Sequence, residues 1–202
     1  MDTLIEGYRR FRAAQYLQAR ERYEQTADRG QSPAALVIAC SDSRVDPQLI
    51  FDAGPGELFV VRNVANLVPP YEKDAAYHGT SAAVEFAVRV LKVPQIVVVG
   101  HGMCGGIHAL LNGAPEDMDY VAHWVQIAEP AKRATEGIDP DQRQTACEHA
   151  SVRLSLANLM TFPWITEAVV GGRLSLHGAF FDIRFGKLLR LQADGTFAPV
   201  EE

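Results

Sequence analysis

Residues 34–44 read AALVIACSDSR, residues 58–63 read LFVVRN, and residues 96–106 read IVVVGHGMCGG. Each opens on a short aliphatic or β-branched run, at 34–39, 58–61 and 96–99, with no polar residue alternating through it. Continuous apolar runs of this length predict strands of a parallel sheet covered on both faces. Helical segments are expected between and after them, at 80–91 (TSAAVEFAVRVL), 117–128 and 141–160. Asp46 before Pro47 reads as an N-cap and first helical position. Toward the C-terminus, residues 173–176 predict a strand, and 180–183 with 188–191 a hairpin around 184–187. Strands alternating with helices make an α/β fold, its central sheet mostly parallel and flanked by helices. Residues 3–29 space Leu4, Tyr8, Phe11, Tyr16, Leu17 and Tyr23 roughly as one long helix would, with Gly30 and Pro33 ending it. This predicts a helical arm over residues 1–30 that lies against another surface, such as a second copy of the chain. No repeat or linker divides the sequence, so residues 1–202 are expected to form one domain.

The net charge of −6 disfavours a nucleic-acid partner, which calls for a basic face. No apolar run approaches the ~20 residues of a membrane span. The first residues, MDTLIEGYRRFRAAQ, lack an apolar signal core, and Asp2 and Glu6 are unlike an organelle-targeting helix, so the expected location is the cytoplasm. Three cysteines in such a protein are better read as metal-binding, catalytic or buried than as a disulfide framework.

The first run ends in Cys40-Ser41-Asp42-Ser43-Arg44, and the third in Gly100-His101-Gly102-Met103-Cys104. Ligands of open α/β sheets bind beyond the carboxyl ends of the strands, where the strand order reverses. If these two strands are neighbours there, Cys40, His101 and Cys104 converge. Two thiolates and an imidazole suit zinc, and three protein ligands leave one tetrahedral position open, as in catalytic sites. The neighbouring glycines would allow a sharp turn, and Cys104 would stand at the start of the next helix, where the dipole favours a thiolate. Two thiolates acidify a bound water less than histidines would. Asp42, two residues past the first ligand, is placed to assist by accepting a hydrogen bond from that water, with Arg44 holding the carboxylate ionised. Taken singly, each residue has an ordinary structural reading: a buried thiol, a turn histidine, a capping aspartate, a surface arginine. Gly100, Gly102 and Gly105 also spell a dinucleotide-type G-x-G-x-x-G. However, the acids about twenty residues on, Asp117 and Asp119, fall in an expected helix rather than at a strand end.

CSDSR at 40–44 and HGMCGG at 101–106 resemble the two signature motifs of β-class carbonic anhydrases. The resemblance extends over FVVRNVANLVPPY at 59–71, GTSAAVEFAV at 79–88, and from Cys147-Glu148 through NLMTFPW to LHGAFFDI. It implies a zinc enzyme that reversibly hydrates carbon dioxide to bicarbonate and a proton. The zinc ligands would be Cys40, His101 and Cys104, and the catalytic pair Asp42 and Arg44. Gln31, reaching in from a neighbouring subunit, would line the substrate pocket with Phe59, Val64 and Phe86. A homodimer or larger assembly, with sites at subunit interfaces, is implied as well. Val37 stands where relatives regulated by bicarbonate carry tryptophan, and with Gln31 and VPPY at 68–71 it places the chain in the plant-like branch. An open site is therefore expected, with Asp42 off the metal. Three readings remain beside this one: hydrolysis of carbon disulfide or carbonyl sulfide, a non-catalytic zinc or bicarbonate protein, and a thiol redox protein using Cys40 and Cys104. His78 and His108 are candidate proton shuttles, and Cys147 is read as a buried free thiol.

Overall fold

In the strand over Ala35–Cys40, β1, every residue is buried. Leu36 and Ile38 turn to one face of the sheet and Ala35, Val37 and Ala39 to the other, the two-residue period of a strand. The computed structural model describes residues 1–74, 76–115 and 117–201. β1 pairs in parallel with β2 (Leu58–Asn63) on one side and β3 (Gln95–His101) on the other. β3 pairs in parallel with β4 (Ser175–Asp182), and β5 (Lys187–Leu191) and β6 (Phe197–Pro199) add antiparallel strands at that edge. The six strands run in the order β2-β1-β3-β4-β5-β6. The chain moves outward from β1 to β2 and then returns past it to β3, so the order reverses between β1 and β3.

One face of the sheet is packed by helices. Leu36, Ile38, Ile96 and Val98 meet Val84 of α4 (Gly79–Glu85), Val152 and Leu159 of α8 (Pro140–Leu159), and Ile165 of α9 (Pro163–Val170). Fully burying Leu36, Ile38 and Ile96 contributes roughly 2–3 kcal/mol each. The remaining helices are α1 (Asp2–Ala13), α2 (Gln15–Arg29), α3 (Pro47–Ile50), α5 (Gly105–Asn112), α6 (Val121–Val125) and α7 (Glu129–Arg133). Asp46 caps α3, accepting the Gln48 N–H at 2.9 Å, with Pro47 at the first position as expected. On the opposite face Val37, Ala39, Val99 and Ala179 pack with Phe51, Leu58, Val97 and Leu188, and an apolar hollow of about 440 Å³ opens there.

Several expectations are corrected. The arm is not one helix: it breaks at Ala14 (φ −126°, ψ −77°). In a continuous helix Phe11 and Tyr23 would stand ~18 Å apart along the axis, whereas their ring centroids are 6.3 Å apart, so the chain doubles back. Phe11 of α1 packs edge-on against Tyr16 and Tyr23 of α2 at 6.1 and 6.3 Å, so aromatic contacts hold the two helices together across the break. The residues at 173–176 and 180–183 are not separate strands; most belong to the single strand β4. Gly178, which looks like a break, lies within it because a Cβ there would stand 2.9 Å from Leu191 and 3.1 Å from Leu156. Residues 117–120 form turns rather than helix, so Asp117 and Asp119 lie outside any regular element. After α4 the chain widens into a π-turn over Phe86–Val90.

Candidate metal centre

Because β1 and β3 are neighbours, Cys40 at the end of one and His101 at the end of the other come together. Cys104 is the N-cap residue of α5, one tight turn beyond β3. The ligand atoms of Cys40, His101 and Cys104 all lie within 4.8 Å of one another, and all three residues are buried. The left-handed residue of that turn is Met103 (φ +57°), not one of the flanking glycines. Gly106 is required for a different reason: a Cβ would fall 2.6 Å from Val64 Cγ1 and 2.9 Å from Ala65 Cβ, where α5 crosses the turn after β2. The turn at Val64–Asn66 has left-handed Ala65 (φ +64°) and directs its N–H onto Cys40 Sγ at 3.4 Å.

The group fits a zinc ion. His101 Nδ1 faces the Gly102 carbonyl at 2.9 Å, so it carries the proton, while Nε2 is buried with no partner and presents a lone pair to the cluster. Two donors at ~2.3 Å on a tetrahedral ion stand about 3.8 Å apart, which the observed spread accommodates. The Cys104 thiol donates to Cys40 and draws the Cys40 pKa well down; the same contact, together with burial, pushes Cys104 up. Both sulfurs bind zinc as thiolates, so metal uptake at this pair releases thiol protons.

Asp42 is bound twice by the Arg44 side chain, from Nε to Oδ1 at 2.9 Å and from Nη2 to Oδ2 at 2.7 Å, and once by the Arg44 N–H at 3.0 Å. These bonds hold its carboxyl well below the usual carboxylate range. Arg44 Nη2 also reaches the Met103 carbonyl at 3.2 Å and ties the two motif loops together. Sequence reading missed Arg62, whose guanidinium donates to the carbonyls of Cys40 (2.9 Å) and Asp42 (2.6 Å) and to Asp46 Oδ2 (3.1 Å), bracing the loop from below. The available signal was a charged residue closing the apolar run LFVV. Glu148 was missed too: Oε1 accepts the Cys104 N–H at 2.8 Å. Burial pushes its carboxyl up, while that bond and one from Gln144 work against the rise.

Of the expected pocket residues, only Val64 packs with the Cys40–Cys104 cluster. Phe59 and Phe86 stack on each other at 5.8 Å. Phe59 is in register with Leu36, four residues before Cys40 and so ~13 Å along the sheet. Gln31 is exposed before the start of β1, at the end opposite Cys40. His78 pairs with Asp74 at 2.6 Å, and His108 Nδ1 meets Gln144 at 3.3 Å and Asn112 at 3.2 Å; neither is bonded to the cluster. Cys147 is a free, buried thiol packed under α5 and α7, its pKa raised by burial. Cys147→Ala is expected to leave zinc stoichiometry unchanged and to lower stability by about 1–2 kcal/mol; metal analysis and thermal unfolding check both. Loss of zinc would make it a fourth element of the centre.

Fold and cluster together define an open α/β protein with a Cys-His-Cys group that could hold a metal ion at its switch point. The carbonic anhydrase family profile matches residues 35–188, and the chain belongs to that family. It is 41% identical over 187 residues to "Beta carbonic anhydrase 5, chloroplastic" from Arabidopsis thaliana, covering 90% of this chain and 61% of the relative, so it spans less than two thirds of that protein. Among solved structures, the β-carbonic anhydrase CcaA superposes with a TM-score of 0.93 at 35% identity, over 100% of this chain and 92% of that one. One of two tetrameric β-carbonic anhydrases from Sordaria macrospora superposes at 0.83 with 29% identity, over 99% and 98% of the two chains.

Proposed function

We propose that this protein reversibly hydrates carbon dioxide to bicarbonate and a proton, using zinc held by Cys40, His101 and Cys104. The observation that carries the reading is the convergence of these three donors beside an ionised, arginine-clamped aspartate in a chain of this family. When bound, the zinc supplies Lewis acidity that lowers the pKa of a water toward neutrality. Asp42, an acceptor only, takes a hydrogen bond from the reacting water and so turns an oxygen lone pair toward the substrate carbon. Arg44 keeps Asp42 ionised and away from the donor cluster, so the site stays open. Val64 supplies apolar wall suited to a substrate without a net dipole. The released proton passes to solvent.

The test is stopped-flow carbon dioxide hydration on protein of known zinc content, from about pH 6.5 to 9. Activity should rise with pH and vanish when zinc is removed. A zinc-replete protein inactive throughout would overturn the reading and turn attention to carbon disulfide or carbonyl sulfide.

The chain works as one domain whose arm, residues 1–30, engages another copy, and the active site is completed at that interface. Three observations support this. Neither α1 nor α2 buries any residue, and Leu4, Tyr8 and Leu17 face solvent. The sheet face opposite the helices carries an open apolar hollow. Gln31, Phe59 and Phe86 lie away from their own chain's cluster, where they can serve a neighbour's. Sedimentation velocity is expected to show a dimer or larger species; a fully active monomer would overturn this. Among the described residues no helix is long and apolar enough to cross a membrane. Three free thiols suit a reducing compartment such as the cytoplasm. A disulfide found in protein trapped directly from cells would count against that placement.

A further inference from the structure

Glu148 is a charged-type residue in an unusual position. It lies on α8, is only 1% exposed, and forms no salt bridge among the described residues. Oε1 accepts the backbone N–H of Cys104 at 2.8 Å and the side-chain amide of Gln144, one helical turn earlier, at 3.1 Å. Oε2 is buried with no partner. A buried carboxyl with an unsatisfied oxygen costs stability, and an apolar side chain of the same volume would pack there without that cost. Core packing therefore does not explain it.

Its bond to Cys104 does. The Cys104 N–H precedes the first turn of α5 and is buried, so it needs an acceptor that neither helix nor strand supplies. The turn from His101 to Cys104 passes through left-handed Met103, a conformation unfavourable for a residue with a Cβ, so it does not hold itself. Bonds that tie it down include Gly102 N–H to the Phe181 carbonyl at 3.0 Å, Arg44 to the Met103 carbonyl at 3.2 Å, the His108 N–H to the Cys104 carbonyl at 2.9 Å, and Cys104 N–H to Glu148. The bond from His108 is the ordinary first turn of α5, whereas the bond to Glu148 is the one a side chain supplies to the Cys104 backbone among the described residues. We infer that Glu148, held by Gln144, is a positioning residue that fixes Cys104 so that its sulfur converges with Cys40 and His101 on the metal. It acts through hydrogen-bond geometry. The inference rests on the proposed metal centre and adds to it a buried support from α8.

The test compares Glu148→Gln, which keeps an acceptor and removes the charge, with Glu148→Leu, which removes the acceptor. Zinc affinity is measured by chelator competition, and ligand geometry by the visible spectrum of the cobalt(II)-substituted protein. Glu148→Leu is expected to weaken zinc binding by about 10–100-fold and to shift the cobalt bands. Glu148→Gln should stay within about threefold of the unsubstituted protein, with its bands in place. If Glu148→Leu does not fold, Glu148→Asp replaces it: one methylene shorter, it keeps the charge but withdraws the acceptor, and it should show the same loss. Unchanged zinc affinity and cobalt spectrum in the Leu or Asp variant would overturn the inference, leaving only a structural role. A Gln variant as defective as Leu would overturn it as well, because charge would then be the operative property. Failure of the unsubstituted protein to bind zinc or cobalt would instead refute the metal centre itself, so the two failures are distinct.

Discussion

Cys40→Ser is expected to strip the centre of its metal and to reduce carbon dioxide hydration to background. A serine hydroxyl stays protonated near neutral pH and is a poor donor to zinc, whereas a cysteine binds it as a thiolate, and the Cys104 contact draws the Cys40 pKa down. A site binding zinc by about 12 kcal/mol divides this among three ligands, so losing one removes about 4 kcal/mol, roughly a thousandfold in affinity. The fold should survive. Serine matches cysteine closely in size, the backbone bonds of β1 are untouched, and the Ala65 N–H that meets Cys40 Sγ at 3.4 Å finds an oxygen instead. The decisive result is therefore a folded protein with native far-ultraviolet dichroism and less than a tenth of the zinc of the unsubstituted chain after desalting. Full zinc occupancy in Cys40→Ser would remove this residue from the ligand set and with it the proposed geometry.

The ligand set was legible in the sequence because the chemistry stands at the ends of strands, and the strands are legible as unbroken apolar runs. What the runs do not encode is adjacency. Whether β1 lies beside β3 depends on where crossovers of dozens of residues return, and only the register of Leu36 to Ile96 through Ala39 to Val99 decides it. The break at Ala14 was hidden for another reason: alanine is the best helix former, and the aromatic cluster that folds the arm back acts between residues a dozen apart. Glu148 was hidden because glutamate is ordinary in a helix, and its partner lies 44 residues away. Arg62 left more of a trace, as the one charge in an apolar strand. Gln31, Phe59 and Phe86 were named through resemblance alone. Within one chain they lie apart from Cys40, Phe59 and Phe86 stacked on each other and Gln31 exposed before β1, so the proposal that they line a site depends on a second copy, which one chain's periodicities do not encode.

Asp42→Asn is expected to keep its zinc and lose most of its turnover, by about 10²–10⁴-fold, the range typical of removing a positioned proton-handling group. Three bonds from Arg44 meet the carboxylate, two from the side chain and one from the backbone. An asparagine offers one oxygen in place of two, and its NH₂ turned toward Arg44 sets donor against donor. Turned the other way, the NH₂ faces the reacting water, where the proposal requires an acceptor. Either orientation spoils one of the two tasks. Because Arg44 holds the Asp42 carboxyl far below its ordinary range, it stays ionised throughout an assay between about pH 6.5 and 9. Its titration therefore does not shape the pH profile of the unsubstituted enzyme, and the rise with pH belongs to the metal-bound site. The variant should accordingly show a lower maximum without losing that rise. Zinc analysis separates this outcome from damage to the centre, since Asp42 lies outside the Cys40–His101–Cys104 donor group. Full turnover in a zinc-replete Asp42→Asn would show that the water needs no acceptor at this position. The Asp42–Arg44 pair would then serve only to fasten the loop that carries Cys40.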